Sequence, residues 1–283
     1  YDPALLLCTD EENGVYPGVR YLAERGMIEG HIVNLNGGAA ARIWAGCFGS
    51  FNVAIRLTGA AAHAGDVARG GANAIEAGIP VLAALAALKP AIAARASALP
   101  PAPGSAGPLR PRLTVTSAQG GAGGSSIPAV FDVAVNRRYA PEESFEDTLA
   151  EIENAVRTAA ASAPDVAVDI ELNGHLAPVA DPDGPHWPRW RLALSAGFGF
   201  AETDFRRWGA ASSSDFGWVQ AHGHREVLLG GVIRPDSRVH AADEFTTVGD
   251  LQALARCLLA YLSADFRPAV NPDLPPATAR SAP

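Results

Sequence analysis

Apolar residues alternate with small or polar ones in four stretches of this chain. Phe51, Val53, Ile55 and Leu57 form the first, and Leu113 and Val115, running on to Ser117, form the second. Phe131, Val133 and Val135 make the third, and Val166, Val168, Ile170 and Leu172 the fourth. A period of two marks a half-buried strand. Between the first and second stretches, the alanine-rich residues 71–98 read as a helix with a kink at Pro80. Between the third and fourth, Phe145, Leu149, Ile152 and Val156 share one face of a helix. That helix starts near Ser144, with Asp147 three residues later as a capping signal. Over residues 49–174 the order strand–helix–strand–strand–helix–strand is that of a split βαβ, ferredoxin-like unit. The proline- and glycine-rich residues 99–111 read as a loop inside this unit.

The flanks carry a different pattern. Residues 5–8 read as a short buried strand, 16–25 as a helix stopped by Gly26, and 32–33 as another strand. Residues 247–262 read as a final helix with Val248, Leu251, Leu258 and Leu262 toward a core. Residues 1–48 and 175–267 would then form one α/β domain, interrupted by an inserted domain over 49–174. The proline-rich residues 268–283 read as a disordered tail. A cleft between two such domains is a common place for a ligand.

Composition narrows the function classes. The 283 residues are 48% hydrophobic and 18% charged, which indicates a globular protein with ample core. The net charge of −8 argues against a nucleic-acid partner. No apolar run reads as a membrane span, so no membrane partner is expected. Cys8, Cys47 and Cys257 are too scattered for a disulfide framework. With no signal peptide in view, they point to a reducing compartment, the cytoplasm.

Four stretches could carry chemistry. In the first, Asp10-Glu11-Glu12 follows the apolar run at the start of the chain. Adjacent carboxylates repel, so a cation is expected close by; the alternative is an acidic helix N-terminus. In extended chain Glu11 and Glu12 point apart, so one could face a metal and the other its water. The second is GAAAHAG followed by GGANAI, in which His63 leaves a strand end among glycines and Asn73 opens a helix. His63 is either a working residue or a solvated loop histidine. The third places Arg137 and Arg138 at the end of a buried strand, facing opposite sides. One could hold a carboxylate bidentately while the other is exposed. In the fourth, His240 and Glu244 frame a loop before the last helix, and histidine is the commonest metal ligand. His222-Gly223-His224 could also grip a metal, but no third ligand stands near it in sequence.

Taken in this order, the four stretches resemble the co-catalytic zinc metallopeptidases and aminoacylases, which include glutamate carboxypeptidase, acetylornithine deacetylase, succinyl-diaminopimelate desuccinylase and aminoacylase-1. The resemblance covers essentially the whole chain. It implies a zinc-peptidase-like α/β catalytic domain with an inserted ferredoxin-like lid that mediates dimerisation, hence a homodimer. It implies hydrolysis of amide bonds in N-acyl amino acids or small peptides, on a substrate that carries a carboxylate. Glu11 matches the general base and Glu12 a zinc ligand. His63 matches the lid histidine that reaches the partner subunit's site, Arg138 the arginine that grips the substrate carboxylate, and His240 the late zinc ligand. Asn73 and Asp215 fall in stretches that contact substrate. Two zinc ions are implied, with cobalt or manganese able to use similar ligands.

Three features depart from the family pattern. The family's His-x-Asp motif and its bridging aspartate precede the D-E-E stretch by more residues than this chain contains, so the chain is expected to correspond to the C-terminal part of such an enzyme. The acidic ligand expected a couple of dozen residues after Glu12 is replaced by the neutral Asn36. The family's N-x-I-P reads Ser125-Ser126-Ile127-Pro128, and its G-G-T-S-D reads Gly209-Ala210-Ala211-Ser212-Ser213-Ser214-Asp215. These changes leave a second expectation open, a non-catalytic relative that keeps the fold as a dimerising or ligand-binding module.

Overall fold

The computed structural model describes residues 1–11, 16–65 and 70–266. In chain order the described elements are α1 (Gly18–Glu24), β1 (Ile32–Gly38), β2 (Arg42–Cys47), β3 (Gly49–Thr58), α2 (Ala74–Ala94), β4 (Arg112–Gly120), β5 (Val130–Tyr139), α3 (Phe145–Ala160), β6 (Ala167–Leu176), β7 (Val179–Ala180), α4 (Trp187–Phe198), β8 (Arg206–Ala210), α5 (Gly217–Ala221), β9 (Val227–Ile233) and α6 (Val248–Ser263). The four alternating stretches form one antiparallel sheet in the order β4-β5-β3-β6. Helices α2 and α3 cover one face. Phe51, Val53, Ile55 and Leu57 of β3 pack there against Val81, Leu85, Ile92, Ile152 and Val156, and all are almost wholly buried. The other face of this lid sheet is open.

Capping explains where the two lid helices begin. The Asn73 side chain accepts from the N–H groups of Ile75 and Glu76, at 3.0 and 3.2 Å, and starts α2. Ser144 does the same for α3 by accepting from Asp147 N. Helix α2 runs through both Pro80 and Pro90 as one 21-residue element. Its length and hydropathy would suffice to cross a membrane, which corrects the expectation that no run reaches that length. Its core-facing side is nonetheless packed on the lid sheet.

A second core gathers the flanks. Trp44, Trp190, Leu194, Val227, Leu228, Cys257 and Tyr261 lie at its centre. Here β1 runs parallel to β9, and β2 runs parallel to β8 with β7 antiparallel on its other side. Two expectations fail in this region. Residues 5–8 form no strand, and Leu5 and Leu7 are 78% and 85% exposed. Their apolar composition signals burial, but a strand also needs a ladder partner, and none pairs with them among the described residues. Helix α6 does form, yet Val248 and Leu251 face outward. Its buried stripe is Asp250, Ala253, Cys257, Ala260 and Tyr261. Small residues win that face because α6 lies hard against α4, where a Cβ on Gly197 would stand 2.4 Å from Ala253 O. The expected tail at 268–283 lies outside the described residues.

A small third core joins the two units. Leu99, from the loop after α2, packs with Ala45, Phe48 and Ala140. The adjacent Pro100 carbonyl accepts from Gly209 N of β8 at 2.8 Å. The lid is thus tied to the flanks by this loop as well as by the chain crossings at β2–β3 and β6–β7.

Candidate active-site cleft

The open face of the lid sheet looks onto the carboxyl ends of the parallel strands, where ligands bind in open α/β sheets. The space between is a cleft of about 630 Å³. Asn36 on β1, Ile233 at the end of β9, and Ser212 and Ser213 just past β8 line one side. Arg138, Asn136, Ser50 and His175 line the lid side. Glu11 enters from the N-terminal segment, and His240 and Glu244 from the loop before α6. Four sequence-predicted site residues, Glu11, Asn36, Arg138 and His240, thus border one cavity although they lie far apart in the chain.

The two arginines at the end of β5 divide as alternation requires. Arg137 turns inward and is fully buried, with Nη2 2.6 Å from Glu143 Oε1. Glu143 also accepts from Arg95 Nη1 and from Ala140 N, each at 2.8 Å. Neither arginine is exposed, so the expectation of one solvated partner is corrected: a carboxylate of the chain itself claims Arg137. Arg138 turns to the cleft and is half-buried. Its Nε donates to Asn136 Oδ1 at 3.2 Å and its Nη1 to Ser213 Oγ at 2.5 Å, which holds the guanidinium fork in place. Burial lowers its pKa, but a guanidinium stays charged at physiological pH.

The loop carrying His240 is anchored at both ends. Arg234 clamps Asp250 with two bonds of 2.7 and 2.6 Å, and Thr247 caps α6 by accepting from Asp250 N. Between the anchors Arg238, His240 and Asp243 take positive φ, at 58°, 61° and 59°. Such backbone in non-glycine residues is costly and persists where surroundings hold it. His240 N donates to Glu244 Oε2 at 3.2 Å.

The remaining candidates sit elsewhere. His63 is exposed on the lid, pairs with Ser126 through backbone, and accepts from Gly65 N at Nδ1. It does not line the cleft. Asn73 is engaged as the α2 cap. Asp215 is buried, and burial first, then the charge of Glu11, pushes its pKa up to about 6. Glu12 lies outside the described residues. The His222 ring bonds the Trp218 carbonyl and takes no part in the cleft.

The two-metal centre that the resemblance implies needs several histidine and carboxylate donors converging on one point. Among the described residues no group of three histidine, cysteine or acidic side chains is placed to hold a metal ion. Glu11, His240 and Glu244 border the same cleft without forming such a group, and Asn36 offers only a neutral amide. The described residues therefore do not fit that centre.

His175 carries no motif that singles it out in the sequence. It lines the cleft, bonds Tyr139 Oη at 2.6 Å and stacks on Phe145 at 3.8 Å. Burial lowers its pKa to about 4, so it is neutral at physiological pH. Ser50, Asn52 and Asn136 were also missed. The available signal was the alternation itself, since they occupy the outward positions between the core residues of β3 and β5.

Comparison with known proteins agrees with this architecture. Residues 45–164 match the family model of a peptidase dimerisation domain. The chain carries that domain, and its fold is shared with solved peptidase structures. Aminopeptidase PepT from Bacillus cereus is similar with a TM-score of 0.61 and 19% identity, over 89% of this chain and 61% of that one. The di-peptidase Dug1p from Saccharomyces cerevisiae gives 0.66 and 16%, over 89% and 63%. Human carnosine dipeptidase 1 gives 0.63 and 14%, over 86% and 61%. At such identities the likeness is one of fold. The chain spans about three fifths of the length of these structures. No curated protein matches the sequence.

Proposed function

We propose that the protein is a hydrolase of amide bonds in N-acyl amino acids or small peptides, of deacylase or carboxypeptidase type. The observation that carries this reading is the single cleft bordered by Glu11, Asn36, Arg138 and His240. Arg138 takes the substrate carboxylate, because its fork is pre-oriented by Asn136 and Ser213 and partly desolvated. Glu11, brought in from the flanking unit, accepts a proton from the attacking water. By resemblance Asn73 and Asp215 contact the substrate, although here Asn73 is engaged as the α2 cap and Asp215 is buried. His63, exposed on the lid, serves the neighbouring subunit of a homodimer formed through the dimerisation domain. By resemblance Glu12 and His240 would be ligands of a divalent-metal centre of two zinc ions, a centre that the described residues do not fit. The three free cysteines suit a cytoplasmic setting.

A second reading is favoured by Asn36 and by the lack, among the described residues, of a three-donor cluster. On it the chain binds such ligands without turning them over. Calorimetry with N-acetyl-L-glutamine and a zinc-supplemented assay for released amino acid separate the two. Binding with turnover that is lost in Glu11→Gln supports the hydrolase. Binding without turnover supports the binding module. In either case Arg138→Ala should weaken binding about tenfold or more, since bonds to a charged group contribute about 1.5–3 kcal/mol. Absence of binding by the wild-type chain overturns both readings.

A further inference from the structure

We propose that the open face of the lid sheet is a subsite for a substrate side chain that carries a carboxamide or hydroxyl, and that it disfavours apolar side chains. This rests on the reading of Arg138 as the carboxylate-binding residue. The strand register builds the face in rows. Arg138 on β5 stands opposite Ser50 on β3, and the next outward-facing residue, Asn136, stands opposite Asn52 on β3 and Thr114 on β4. Adjacent outward positions on a strand are about 7 Å apart. A ligand whose carboxylate meets Arg138 therefore reaches the Asn136 row with the length of one side chain. A register shift between Val115 and Ser117 marks a bulge, and Thr116 beside it also lines the cleft.

The Asn136 row is neutral and hydrogen-bonding, with Asn52, Thr114 and Asn136 side by side and Ser50 and Thr116 next to it, whereas the row before it pairs Arg138 with the exposed Arg112 of β4. Farther along the same face charged residues return, with Arg56 paired to Asp132 at 2.7 Å, so the neutral row is confined to the part of the sheet that borders the cleft. Asn136 is oriented from both ends. Its Nδ2 donates to Asn52 Oδ1 at 2.9 Å and to Ser50 Oγ at 3.1 Å, while its Oδ1 accepts from Arg138 Nε. An apolar side chain laid on this row would strip water from the Asn52 amide nitrogen and the Thr114 hydroxyl and offer them no hydrogen bond in return, while Asn136 keeps its protein partners. A carboxamide or hydroxyl would supply both donor and acceptor.

The test is calorimetry on the full chain with N-acetyl-L-glutamine and N-acetyl-L-leucine. The two share the same carboxylate and amide and differ at a side chain of similar size. The wild-type chain should bind the glutamine derivative about tenfold more tightly, the effect of one good hydrogen bond kept rather than lost. Thr114→Val and Asn136→Leu should each shrink that ratio toward unity. Thr114→Val swaps a hydroxyl for a methyl in a β-branched residue on a strand, so it keeps the fold even if Asn136→Leu does not. Equal affinity for the two ligands, or a ratio unchanged in Thr114→Val, overturns the subsite while leaving the role of Arg138 standing. Failure of both ligands to bind overturns the underlying reading instead.

Discussion

Asp215→Asn should make the protein more stable at neutral pH and have little effect in acid. Asp215 is 4% exposed, and its pKa stands at about 6 instead of the ordinary 3.8 because of burial and the nearby Glu11. The native state therefore holds the proton more tightly than the unfolded chain does. Below pH 3.8 both states are protonated and the site costs nothing. As pH rises from 3.8 to about 6 the native state is progressively penalised, and above that the penalty is constant. The difference corresponds to about 3 kcal/mol at pH 7.5 and about 0.5 kcal/mol at pH 4. Asparagine removes the charge but weakens the bonds now accepted from Phe216 N and Ser214, at a cost of about 1 kcal/mol. That cost is common to both pH values, so the change between them is the clean readout. Urea unfolding of wild type and variant should show the variant's advantage growing by roughly 2–3 kcal/mol from pH 4 to pH 7.5. A stability difference that does not move with pH would refute the reasoning about this site.

Other perturbations follow from the same packing. Glu143→Gln leaves the fully buried Arg137 without its countercharge and should cost about 3–5 kcal/mol in urea unfolding; a loss below 1 kcal/mol would show that the pair is not held as described. Asn73→Ala removes the α2 cap and should cost about 1 kcal/mol in the same assay, with an unchanged midpoint counting against the capping role.

The lid was the most legible part of the sequence. Strands β3 and β5 alternate cleanly, because one face is buried under α2 and α3 while the other is polar, and Ser144 announces α3 by its own side chain. Strand β4 is interrupted by its bulge, and Leu172 of β6, expected toward the core, is 42% exposed. The flanking unit was harder to read. Strand β9 is a run of Val227-Leu228-Leu229 and glycines with no alternation, and β2 merges into β3 without a turn signal. Helix α6 misled because leucines mark burial only when no tighter contact is on offer, and its alanine and cysteine face could approach α4 more closely. Residues 5–8 misled because hydrophobicity alone does not supply a ladder partner. In the cleft, Glu11, Arg138 and His240 stood out as charged or titratable residues in recognisable settings. Asn136, Ser50 and Asn52 did not, since neutral side chains on a strand look the same whether they face solvent or a ligand until register places them in one row.

The most direct measurement is a crystal structure of this chain grown with N-acetyl-L-glutamine. The expected result is the ligand carboxylate on the Arg138 guanidinium, its carboxamide over Asn136 and Thr114, and its amide turned toward Glu11. A ligand bound with its carboxylate away from Arg138, or outside the cleft between the lid sheet and the ends of β1 and β9, would contradict the assignment of this cleft as the substrate site.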